Sequence, residues 1–124
     1  SSEKMQKNYA KVAEWYGGKD RFLSAANNPV CKEVADSYNR RIEAILEKMN
    51  EKRDCPLDSF AVRQLVGEYG FVMKQFCQIK EEQGMMLAIA RSYRDEPFKL
   101  NLDEKYGEGA AEFFARAIEG FYNR

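Results

Sequence analysis

Apolar residues along this chain recur every three or four positions, and nowhere do they alternate over a convincing length. That spacing lines up one face of a 3.6-residue helix, whereas a half-buried strand needs a period of two. From Pro29 to Arg53, the residues Val30, Val34, Tyr38, Ile42, Ile45 and Met49 form one stripe, widened by Leu46. The wet face of the same segment mixes Arg40, Glu43, Glu47, Lys48 and Lys52, charges that neighbour one another at helical spacing. Asp58 or Ser59 can cap the next helix, along which Val62, Leu65, Val66, Tyr69, Val72, Met73 and Phe76 make a broad apolar face. From Ile79 onward, Met86, Ile89, Ala90 and Tyr93 continue the pattern, and Ala110, Phe113, Phe114, Ala117, Ile118, Phe121 and Tyr122 complete it. Phe98, Leu100 and Leu102 alternate, but three positions are too few for a strand. A short helix from Pro97 to Lys105 is expected instead. The fold class is all-α, with about six helices and short connections.

The breaks fall where backbone chemistry puts them. Gly17-Gly18, Asn27-Asn28-Pro29 and Asp54-Cys55-Pro56 interrupt the periodicity, as do Asp95-Glu96-Pro97 and the Gly107/Gly109 pair. Pro29 suits a first helical turn, where its missing N–H has no partner to lose. At 124 residues with 44% apolar side chains, residues 1–124 make one domain with a real core. No uncharged run approaches the roughly 18 residues of a membrane span, and no secretory signal precedes a cleavage site. The first methionine is Met5, after an opening Ser-Ser, and the natural protein is expected to continue upstream.

Charge and composition exclude several functions. Residues 1–62 carry 11 basic and 10 acidic side chains, and residues 63–124 carry 9 and 10. Proteins that grip nucleic-acid phosphates show a basic excess, so this segment is not expected to touch DNA itself. There is no histidine, which removes Ser-His-Asp and Cys-His nucleophiles and every imidazole metal site. Cys31, Cys55 and Cys77 fit neither a disulfide framework nor C-x-x-C, and free thiols in a reducing cytoplasm account for them. Cys77 lies between Phe76 and the start Ile79-Lys80-Glu81-Glu82. A thiol at a helix N-terminus can have a lowered pKa; the plainer alternative, a small buried hydrophobe, weighs more. Glu81-Glu82 and Asp95-Glu96 are adjacent pairs whose side chains diverge on a helix, so they read as helix-start partners rather than acid/base pairs. Tyr69, Met73, Phe76, Met85 and Met86 concentrate soft and aromatic surface in the middle of the chain. Such surface serves either a core or an adaptable binding pocket. Met85 and Met86 are adjacent, so one of them is expected to reach a cleft or solvent. Trp15, the single tryptophan, either anchors the N-terminal helix or walls a cleft.

The last third carries a signature. It reads Ala90-Arg91-Ser92-Tyr93-Arg94-Asp95-Glu96-Pro97-Phe98, then Asp103-Glu104-Lys105-Tyr106-Gly107-Glu108-Gly109-Ala110-Ala111-Glu112-Phe113, then Ala117-Ile118. This resembles the TipAS-like drug-recognition domain found at the C-terminus of many MerR-family transcription activators. Glu14-Trp15-Tyr16-Gly17, with Phe22 following, is similar to the family's Glu-x-x-Trp-Gly opening. Cys55-Pro56-Leu57-Asp58-Ser59 is similar to its turn into the helix that lines the ligand site. Where the family often has a histidine late in that helix, this chain has Tyr69.

The resemblance implies a globin-like helical shell without haem, no cofactor, no metal and no enzymatic activity. It implies an effector-sensing domain that binds a bulky hydrophobic compound or peptide antibiotic in an interhelical cleft. The cleft would be lined by Tyr69, Met73, Phe76, Cys77 and Met86, with Trp15 and Phe22 as a mobile lid. Some members capture dehydroamino-acid antibiotics with a cysteine near the helix preceding the Asp-x-x-Phe stretch, a region close to Cys77. In a cytoplasmic full-length activator, DNA contact and dimerisation would come from an upstream reader domain and coiled coil. A stand-alone drug-sequestering protein and a helical protein-interaction domain are the alternatives.

Overall fold

The computed structural model describes residues 2–27 and 31–123. Seven helices follow one another: α1 (Ser2–Trp15), α2 (Lys19–Asn27), α3 (Lys32–Asn50), α4 (Phe60–Cys77), α5 (Glu82–Ser92), α6 (Phe98–Tyr106) and α7 (Ala110–Tyr122). The described residues contain no strand. The expected all-α class therefore holds, but about six helices become seven. α2 lies in the segment that follows the Gly17-Gly18 break and buries no residue. The Pro29 and Val30 positions of the expected third helix lie outside the described residues. Of the rest of its stripe, Ile45, Leu46 and Met49 are buried, Tyr38 and Ile42 half-buried, and Val34 exposed.

Helix α7 is the centre of the molecule and packs against α3, α4, α5 and α6. Ala110, Ala111, Ala115 and Ala117 are buried and let neighbouring backbones approach. Phe114 and Ile118 are fully buried between them, and burying such a side chain contributes about 1.5–3 kcal/mol. Phe114 also meets the Tyr106 ring edge-on at 5.5 Å, a geometry favoured by the ring quadrupoles.

The helix ends follow local chemistry. Ser59 is extended and its side chain accepts from the Val62 N–H at 3.4 Å, capping α4. At the other end Gln78 adopts φ 57°. Its N–H reaches the Gln75 carbonyl and the Ile79 N–H reaches the Lys74 carbonyl, the paired bonds of a Schellman turn. Ile79 therefore belongs to this turn, buried against the core, and α5 begins only at Glu82. Glu81 caps α5 by accepting from the Gly84 N–H at 2.7 Å. Met85 and Met86 are both buried, so neither reaches solvent. α5 is covered on several sides, by α1, α4 and α7, so adjacent positions can both meet protein.

The α6–α7 turn is tied to the end of α3. Asn50 donates to the Tyr106 carbonyl at 2.9 Å and Arg53 to the Glu108 carbonyl. Gly109 has φ 86°, and a Cβ there would stand 2.8 Å from the Arg53 guanidinium. The Tyr-Gly-x-Gly sequence is thus the cradle of an arginine head, in a backbone conformation that glycine adopts without cost.

Candidate functional site

Three α4 residues and one α5 residue build the centre of the candidate site. Tyr69 and Met86 are buried with 2% and 0% of their surface exposed, and Met73 and Cys77 pack half-buried against the same core cluster. The hydroxyl of Tyr69 pairs with that of Tyr93 across the α4–α5 interface. Burial, reinforced by the nearby Tyr93, Cys77 and Tyr106 groups, pushes the Tyr69 hydroxyl well above its ordinary range. Burial likewise pushes Tyr93 up to about 12, although its hydrogen bond with Tyr69 works the other way. Desolvation disfavours the phenolate, so each hydroxyl stays neutral.

The structure places Cys77 at the last residue of α4 rather than at a helix N-terminus. The C-terminal end of a helix dipole disfavours an anion, and burial raises the thiol's pKa. The arrangement favours the plainer of the two readings, a small, partly buried apolar side chain, over an activated thiolate. Cys77 is a neutral thiol packed, like Tyr16, against the core cluster that contains Tyr69.

The N-terminal helices close onto this region at the end of α1, with Trp15 at the contact. The Trp15 carbonyl accepts from both the Lys80 and Glu81 N–H groups, each at 2.7 Å. Its indole lies over Gly84, where a Cβ would stand 2.9 Å from Nε1. Only a residue without a side chain lets the indole seat there. Trp15 and Tyr16 both pack against the core cluster.

Phe22 lies farther out. Its ring meets Tyr9 at 5.1 Å and Tyr16 at 5.2 Å, both edge-on, so it belongs to a small aromatic cluster within α1 and α2. Phe76 turns the other way and stacks on Tyr38 of α3, 5.1 Å apart and 12° from parallel. Trp15, Tyr69, Met73, Cys77 and Met86 thus share one seam, and Phe22 and Phe76 flank it through Tyr16 and Tyr38. Tyr16, Tyr38 and Tyr93 are the residues that sequence reasoning left out of the site. Periodicity places Tyr38 and Tyr93 on apolar stripes and Tyr16 only follows Trp15 in the chain, but which rings meet is a tertiary matter.

The seam is packed. Among the described surface concavities, one of about 350 Å³ involves Tyr38 with Glu33, Val34, Ser37 and Arg41. Others lie between α3 and α4 around Phe71, and beside the start of α7. The described residues contain no group of three or more His, Cys, Asp or Glu arranged to hold a metal ion. None of the described helices is long and apolar enough to cross a membrane.

Fold and seam together define a class: an all-helical domain whose central interhelical surface is aromatic, thioether-rich and uncharged. Within that class the family model of the TipAS antibiotic-recognition domain matches residues 3–121, and the chain belongs to that family. No curated protein and no solved structure matches the chain.

Proposed function

We propose that this domain senses bulky, largely apolar antibiotics for a MerR-type multidrug-responsive transcription activator, and that it catalyses no reaction. The family match over residues 3–121 carries the reading. A neutral seam suits an uncharged ligand, because nothing in it must be stripped of a counter-charge on binding. The Tyr69–Tyr93 hydroxyls and the Cys77 thiol supply the few polar groups that orient such a ligand. Entry displaces the α1–α2 pair, and the difference in affinity between its open and closed arrangements is the signal. DNA is reached through an upstream reader, a coiled coil dimerises the parent, and the helices are arranged like those of a globin without haem. The parent works in the cytoplasm.

Trp15 fluorescence tests this. The chain is titrated with cyclic peptide and other amphipathic antibiotics. Saturable quenching or a blue shift, together with a raised melting temperature, is expected for at least one compound. No response from any compound sinks the proposal. Mass spectrometry after incubation with a dehydroalanine peptide tests capture: a neutral, half-buried Cys77 is expected to stay unmodified.

A further inference from the structure

A concavity of about 470 Å³ opens where the α3–α4 loop meets the start of α7. Cys55, Leu57 and Phe113, all half-buried, give it an apolar floor. Arg53 and Arg116 also line it. Neither arginine has a carboxylate partner among the described residues. Arg53 spends two of its five N–H donors on neutral acceptors, the Glu108 carbonyl and the Asn50 side-chain oxygen, and three remain. Its head is thereby fixed in place without its charge being cancelled. The one lining carboxylate, Glu112, is already engaged by Arg94 at 2.8 Å, which also pairs with Glu119. In a chain of zero net charge, this is a local positive excess held over apolar surface.

A guanidinium presents a rigid fork matched to a planar carboxylate. An apolar floor in a concavity of this volume matches a ring. We propose that this concavity is a second binding site, taking a small aromatic carboxylate. The carboxylate meets Arg53 and Arg116, and the ring lies on Phe113 and Leu57. This site is independent of the α4–α5 seam, and the two select opposite chemistries, one an anion and the other a neutral apolar body.

Two-dimensional amide NMR of the intact chain tests it, with benzoate, its neutral isostere benzamide and inorganic phosphate as probes. Benzoate is expected to shift the amides of residues 53–57 and 109–116 saturably, and about tenfold more tightly than benzamide or phosphate. Arg116→Gln, an exposed substitution, is expected to weaken benzoate by about the same factor. Arg53→Lys keeps the charge but loses the fork and is expected to weaken it as well. Equal binding of benzamide removes the anion claim, and equal binding of phosphate removes the aromatic claim. Shifts confined to residues 69–93, shifts that do not saturate, or an unchanged Arg116→Gln variant overturn the site.

Discussion

The α4–α5–α7 body and the α1–α2 pair are held by different forces. In the body, Val62, Val66, Met86, Ala90, Phe114 and Ile118 are wholly removed from water, so its cohesion is dispersed over many non-directional contacts. The N-terminal pair buries little: Ala13 in α1 and nothing in α2. Its attachment is concentrated in Trp15, through two hydrogen bonds to one carbonyl and an indole seated over Gly84. Regions with few buried apolar contacts open at lower free energy than the core. A dispersed core is costly to perturb anywhere. An attachment of so few residues can be released locally.

Phe114→Ala is expected to have the largest effect on the body. Truncating this fully buried ring costs about 3–5 kcal/mol, read by urea unfolding, and both regions lose structure together. Survival of a folded body after that change would break the contrast. High pH comes next. Tyr93 titrates near 12 when folded against an ordinary value of 10.0. Below pH 10 both states hold the proton and stability is unaffected. Between pH 10 and 12 the unfolded chain loses the proton and the folded one keeps it, so stability falls with rising pH by about 1.4 kcal/mol per unit. Tyr69, shifted in the same direction, adds to the fall. Unfolding curves that stay flat from pH 10 to 12 would show the hydroxyl pair to be open to water.

Tyr69→Phe leaves the buried Tyr93 hydroxyl without its partner and is expected to cost about 1–3 kcal/mol. The double variant with Tyr93→Phe recovers part of that loss, because no polar group is then left unpaired. Ser59→Ala removes the α4 cap and is expected to cost about 1 kcal/mol. Trp15→Ala is expected to change global stability least, by less than about 1 kcal/mol, while the amides of residues 2–27 and of Lys80 and Glu81 exchange faster. If the α7 amides accelerate equally, the two regions form one cooperative unit and the contrast fails.

Much of the fold was legible. Four long helices announce themselves because each buries one face and so shows the 3.6-residue period, and Ser59, Gly107 and Gly109 mark their ends. The short helix over residues 98–106 was found within one residue of the expected bounds. For α2 only the flanking breaks were legible, since a helix that buries nothing has no apolar stripe. Ile79 was misassigned because a buried residue in a Schellman turn looks, in one dimension, like the first residue of the next helix. Among the site residues, Trp15, Tyr69, Met73, Cys77 and Met86 were readable as aromatic and soft surface, and the family likeness gathered them. The reach of Phe22 toward Tyr9, and of Phe76 toward Tyr38, was not readable.

By itself the sequence determined the all-α class, the helix caps, the neutrality of the chain and the absence of imidazole chemistry, since these depend on residue type and near-neighbour spacing alone. Only the tertiary structure decided that Cys77 ends a helix instead of starting one. It alone joined Tyr69 to Tyr93, seated Trp15 on Gly84 and brought Arg53 and Arg116 to one concavity. These relations link residues far apart in the chain, and the packing of helices against one another, which local periodicity does not encode, sets the distances between them.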